Sequence, residues 1–255
     1  MELTFREAEI AGYLLALVRA AAWIVVAPPF AGRLLPTQVK AGFAVALAIA
    51  VGPRLAEAGV PLEPGPLISA AVMQAVAGVA LGYLGVLVIS VVQAAGALVD
   101  ALAGFSMATL FDPTTSSQTT VFGRFYQLLG ITLLFAIDGH ILLVRGFMSS
   151  IDAAPFTTLD LDALGHVLTD GLGEFLLAAV EISAPLLAAL LAAELAIALL
   201  AKAAPQANAF LLGIPVKILV VMSLGALVFP RIATAMRALL ETLTRDGLQV
   251  VAGGG

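Results

Sequence analysis

Apolar residues run almost unbroken through six stretches of the chain: residues 10–27, 39–55, 67–99, 125–151, 175–201 and 210–229. Most are long enough to cross a bilayer and show no polar face, so the pattern predicts membrane helices rather than amphipathic surface helices. Proline, glycine and polar clusters separate them at 28–36, 53–66, 112–120, 152–174 and 205–215. The expected fold is an all-α integral membrane protein, a single domain over residues 1–255 with about six hydrophobic helical regions, kinked or hairpin where length demands it. After Pro230 the pattern changes. Ile232, Met236, Leu239, Leu240 and Leu243 share one helical face, which predicts an amphipathic tail over 231–255 resting on a membrane or partner surface.

Composition strengthens this reading. The chain is 61% hydrophobic and 11% charged, with a mean hydropathy of +1.09, whereas a soluble domain is about half apolar and about a quarter charged. The net charge of -5 comes from sparse acids and bases, which make no nucleic-acid footprint. The chain has no cysteine, which excludes disulfides and thiolate metal sites. Its first residues, MELTFREAEI, are acidic where a signal peptide is basic, so the first apolar run reads as a retained helix. No catalytic motif emerges: GFSM at 104–107 lacks the closing glycine of a nucleophile turn, and two histidines lack the HExxH spacing. We therefore expect no enzyme, no cofactor and no metal.

Several features fit a flat bilayer poorly. The uncharged run 67–99 would reach roughly 50 Å as a straight helix, against a hydrocarbon core of about 30 Å, so it should bend, double back or leave the membrane. Arg19 sits near the middle of the first run, where facing lipid would cost at least about 2.5 kcal/mol. It should snorkel or pair with an acid. Counting bases on alternate sides of six spans gives five against four, which orients nothing.

The ionisable groups Asp100, Asp138, His140, Glu181, Glu194 and Lys217 all fall within or beside apolar stretches and are expected to be buried and paired. Glu181 and Glu194 lie thirteen residues apart, on different faces of one helix, so they cannot form one carboxylate site. Lys217 could pair with either. Gly96, Asp100 and Gly104 recur every fourth residue, a small-residue stripe where another backbone could approach. Beyond it Phe105, Met107 and Phe111 lead into Asp112, Pro113 and the polar run TTSSQTT, followed by Phe122. This is either an exposed loop or a polar segment with bulky apolar shoulders that occludes a pore. Pro205, Gln206, Asn208, Gly213 and Pro215 interrupt the apolar sequence just before Lys217, an arrangement tolerated only where protein or water satisfies the backbone.

Taken in order, these pieces resemble a known family. Arg19 with APPF at 27–30, LPTQVKAGFAVALA at 35–48, the Gly96/Asp100/Gly104–Phe105/Asp112–Pro113 series, LLFAIDGH at 133–140, Ser149–Ser150 before Pro155, and PQANAFLLGIPVKI at 205–218 are similar to the FliR family of flagellar export-gate proteins and its SctT counterparts in virulence secretion. The resemblance covers most of the chain from Arg19 to about Pro230. It implies helices packed into a multi-subunit export gate with FliP-like and FliQ-like subunits, beside FlhB-like and FlhA-like proteins, in the bacterial inner membrane at the flagellar basal body. It also implies that Phe105 to Phe122 match the plug of a conduit for unfolded flagellar or effector proteins. A secondary transporter or a non-conducting membrane scaffold are the alternatives.

Overall fold

The computed structural model describes residues 7–28, 30–32, 35–59, 62–105, 120–153, 155, 161–204, 206 and 209–251, excluding the side chains of 161–172, 209–211 and 246–251. The described residues form helices and no strand: α1 (Glu7–Val26), α2 (Thr37–Glu57), α3 (Pro64–Ala103), α4 (Val121–Ala136), α5 (Gly139–Ala153), α6 (Leu161–Ala203), α7 (Ala209–Leu224), a 3-10 turn (Gly225–Val228) and α8 (Phe229–Val251). Five segments are long and apolar enough to cross a membrane: α1, α2, α3, Gly173–Ala203 within α6, and Leu212–Arg245 through α7 and α8. Together α4 and α5 make a sixth if the pair counts as one span. The chain is an all-α, multi-pass membrane protein.

Several boundaries differ from those the sequence pattern predicts. The 67–99 run lies within one uninterrupted helix of 40 residues, so α3 does not double back. The 125–151 region is two helices, parted where Asp138 takes a φ of 58°. Aspartate tolerates this left-handed conformation better than most side chains. Its carbonyl then accepts from the Ile141 and Leu142 amides and starts α5. Pro53 and Pro215 lie inside α2 and α7 rather than ending them, each removing only one amide from the helix ladder. The acidic stretch expected as a loop is mostly helix from Leu161 onward, because Leu161, Leu164, Leu168 and Leu172 recur at helical spacing through Asp162 and Asp170. Pro230 falls in the first turn of α8, where its missing N–H is harmless.

The contacts group into two compact units. The first comprises residues 1–88, 138–172 and 239–255. Here α1 packs on α2, with Gly12 against the Ala56 backbone and the Tyr13 ring over Gly52. Helix α3 approaches α1 still more closely: a side chain at Gly78 would overlap the Arg19 carbonyl, and one at Gly82 would lie 3.0 Å from the Trp23 carbonyl oxygen. Small residues one turn apart permit such approach between membrane helices. The contact brings Gln74, one turn before Gly78, against Arg19. The Arg19 Nε donates to Gln74 Oε1 at 2.5 Å, and its terminal nitrogen donates to the Ser150 carbonyl at 2.9 Å and Oγ at 3.3 Å. Gln74 in turn donates to the Pro155 carbonyl at 2.6 Å. Trp23 closes the cluster against Phe30 and Phe147. Arg19 is fully buried, so it does not snorkel, and neutral oxygens rather than a carboxylate accept these bonds.

The second unit comprises residues 89–137 and 173–238. Gly96 and Gly130 bring α3 and α4 together, Gly130 resting against Val92. On α6 the buried seam is Ala179, Ile182, Ser183, Leu186 and Leu190. In α8, Leu239 and Leu243 of the apolar face are partly exposed, while Ile232, Met236 and Leu240 of the same face are buried. The opposite holds for much of α6, where Leu177, Val180, Leu191, Leu195 and Leu199 are exposed. Only 11% of its apolar window is buried, against 50% for α3.

The two arginine clusters should respond differently to substitution. Arg19→Met keeps an apolar stem but strands Gln74 Oε1 and the Ser150 carbonyl, each costing about 1–3 kcal/mol. Arg54 meets Asp152 at 2.9 Å with both side chains about half exposed, and Arg54→Met should cost under about 1 kcal/mol. Thermal unfolding in mild detergent checks the order; a larger loss from Arg54→Met would contradict it.

Candidate functional site

The end of α3 and the start of α4 are built around one carboxylate. Gly104 takes a φ of 83° and donates its amide to the Asp100 carbonyl at 3.0 Å, ending α3 as glycine does at a helix C-terminus. Among the described residues, no atom outside its chain neighbours lies within 4 Å of where its side chain would be. Gly96 does pack. A side chain there would fall 2.6 Å from the Phe122 carbonyl oxygen, so the first turn of α4 lies directly on α3.

That approach delivers the free amides of α4 to Asp100. Its Oδ2 accepts from the Phe122 amide at 2.6 Å and the Gly123 amide at 3.2 Å, while Thr120, the N-cap, accepts from Gly123 at 3.1 Å. Helix-start amides lack partners within their own helix, and their dipole favours a negative charge. Asp100 is fully buried, and its Oδ1 has no hydrogen bond to a described residue. Phe105 meets Phe122 with ring centroids 5.3 Å apart, and Phe122, Phe125 and Tyr126 continue the aromatic row. The two ends of segment 106–119 are thereby fastened to each other. Met107, Phe111, Asp112 and Pro113 lie within that segment, outside the described residues.

A second polar contact joins α6 to α7. Lys217 Nζ pairs with Glu194, one turn beyond Gly213, which packs on Ile197. The lysine side chain is 16% exposed and the glutamate 57%. Glu181, the other acid considered for Lys217, is not in this pair. Burial of the ionisable groups is narrower than the sequence predicts: Asp138, Glu181 and Glu194 are exposed, His140 is half-buried, and Asp100 is buried with Arg19. The reason is geometric. Helices apolar on every side give no indication of which face their own chain covers. Gln206 occupies an exposed turn, Pro215 is exposed within α7, and Pro205 and Asn208 lie outside the described residues.

The sequence reading missed Gln74, Ser150 and Thr120 as polar partners. A glutamine in an uncharged, mostly apolar run, with glycines four and eight residues on, is the signal that could have exposed Gln74.

Comparison with known proteins places this geometry in a family. The sequence model described as bacterial export proteins, family 1, matches residues 10–243. The flagellar biosynthetic protein FliR of Escherichia coli (strain K12) is 30% identical over 222 residues, covering 87% of this chain and 85% of its own. The chain belongs to the FliR family of type III export proteins. FliR of Bacillus subtilis (strain 168) is 29% identical over 213 residues, 82% of each chain. Yop proteins translocation protein T of Yersinia pestis is 28% identical over 211 residues, 80% of each chain. Flagellar and virulence-type relatives thus align over most of this FliR-family chain.

The Asp100 contact yields a prediction. Asp100→Ala removes an acceptor from two α4 amides, at about 1–2 kcal/mol, or a factor of roughly 5–30 in how often the base of the segment opens. Asp100→Asn keeps one oxygen acceptor and should fall between. Limited proteolysis within 106–119 reads this opening. Equal cleavage rates in wild type and Asp100→Ala would show that the carboxylate does not hold the base.

Proposed function

We propose that this FliR-family chain is a core subunit of the type III protein export gate in the bacterial inner membrane, and that it forms part of the conduit and its plug for unfolded flagellar or effector proteins. It assembles with FliP-like and FliQ-like subunits, and FlhB-like and FlhA-like proteins dock beside it. The observation that carries this reading is the fastened base of segment 106–119. The Asp100 cap, the Gly96 contact and the Phe105–Phe122 pair tie both ends of a polar segment to rigid helices. Phe105 and Phe122 anchor the plug. Met107, Phe111, Asp112 and Pro113 belong to the part that closes the path.

Exposed apolar faces on α6 and α7 support a place among other subunits, since Leu195, Leu199, Leu219 and Met222 are each more than half exposed. Gly96, Asp100 and Gly104 act as the frame of the plug. Arg19 holds the first unit, and Lys217 with Glu194 holds the α6–α7 hairpin.

Deleting residues 112–119 while retaining Thr120 leaves the α4 cap in place and removes most of the polar plug. Cells carrying the complete complex with this deletion should leak ions and become sensitive to small solutes. The assembled complex should also conduct in planar bilayers. Normal tightness with an assembled, deleted complex removes the plug role, and absence of conductance favours a scaffold.

A further inference from the structure

The outer face of α6 holds an acid that no described residue answers. Every stretch of about 20 residues within Gly173–Ala203, the length that crosses a bilayer core, includes Glu181 or Glu194. Glu194 has Lys217. Glu181 is exposed and makes no ion pair or side-chain hydrogen bond to a described residue. It lies roughly 180° around the helix from the buried seam of Ala179, Ile182, Ser183, Leu186 and Leu190. Within one turn its neighbours on that outer face are apolar: Leu177, one turn before, is 60% exposed.

A second feature falls on the same residue. Pro185 lies inside α6, four residues after Glu181. Proline has no amide to give, so the Glu181 carbonyl loses the helix bond it would otherwise receive. Glu181 therefore presents two kinds of acceptor at one level of the helix, its carboxylate and its own main-chain carbonyl. Lipid offers neither a donor nor a counter-charge, and an unanswered charge or carbonyl is disfavoured there.

We propose that the face of α6 centred on Glu181 is an intersubunit contact, and that its occupant is an apolar helix of a partner export subunit carrying a cationic side chain opposite Glu181. Arginine fits best. Its planar guanidinium carries five donors in a fixed fork, enough to serve a carboxylate and a nearby carbonyl together, whereas lysine offers a single compact centre. Alanines at 178, 184 and 188 flank the acid on this side and leave room for the approaching helix. The inference rests on the export-gate reading in needing partner subunits, and adds which face one of them covers and with what chemistry.

The test uses the full chain coexpressed with its FliP-like and FliQ-like partners. Glu181→Lys should reduce recovered partner at least tenfold, and Glu181→Gln by a smaller factor. Because Glu181 faces away from the chain's own seam, neither change should alter the yield or monodispersity of the chain purified alone. As the chain has no cysteine, Glu181→Cys supplies a single thiol. A membrane-impermeant maleimide should label it at least tenfold more slowly in the complex than a Glu57→Cys control. Wild-type recovery with Glu181→Lys overturns the proposal, as does labelling of position 181 at the control rate, which would place it in water. A fall in the yield of the lone variant chain also overturns it, by making Glu181 part of the chain's own packing. Failure of the wild-type chain to copurify with either partner is a different result: it removes the export-gate reading itself.

Discussion

Where α3 crosses α1, the Arg19 carbonyl occupies the space that a side chain at position 78 would need, and further along the same helix the Phe122 carbonyl does so at position 96. The rest of the structure depends on these two approaches. Helices in an apolar surrounding gain little from hiding apolar surface from one another, so close packing and interhelical hydrogen bonds must hold them. Both are short-ranged. A methyl group at Gly78 would push α3 away from α1 and with it Gln74 from the Arg19 guanidinium. A methyl group at Gly96 would lift the α4 amides from Asp100. One helix thus serves two polar centres because it is stripped of side chains where each is approached.

The polar groups of this chain divide by who satisfies them. Arg19 is answered by Gln74 and Ser150, Asp100 by the start of α4, and Lys217 by Glu194. Each link joins positions far apart or helices that have no other polar reason to choose one register, and at Arg19 and Asp100 a slip of one turn would leave a buried donor or acceptor bare. That penalty specifies alignment better than apolar contact can, since leucine, valine and alanine pack acceptably in many registers. Glu181 belongs to the other class. It lies on a surface that apolar side chains otherwise dominate, and no described residue pairs with it.

How much of this was legible in the sequence follows from the same physics. The membrane helices were visible because an uncharged apolar run of bilayer length is rarely stable as anything but a helix in lipid or protein, and the Gly96–Asp100 spacing announced a close approach. The identity of what approaches was not, because the α4 amides lie 22 residues further on and main-chain donors leave no trace in residue identity. Pro53 and Pro215 read as breaks because proline removes an amide, yet a helix already packed on its neighbours survives the loss of one bond. The 152–174 stretch read as a loop because its charges were conspicuous and its leucine spacing was not. Burial of Glu181 and Glu194 was overestimated because an apolar sequence surrounds both, and sequence neighbourhood is not spatial neighbourhood on a helix with one covered seam.

On the proposed reading, fastening both ends of segment 106–119 separates gating from folding. The entropic cost of closing a loop rises only slowly with its length, so tied ends set little restriction on how long the segment between them can be. Those ends are fixed by a buried carboxylate, a glycine contact and a ring pair, none of which needs to break for the segment to shift. On that reading opening leaves α3 and α4 with the contacts that hold the subunit. A plug hung from the fold in this way can yield to a passing polypeptide and return, because the helices that position it have not moved. Unwinding helix backbone would leave hydrogen bonds without replacement in an apolar surrounding, so a gate that spares α3 and α4 avoids that cost.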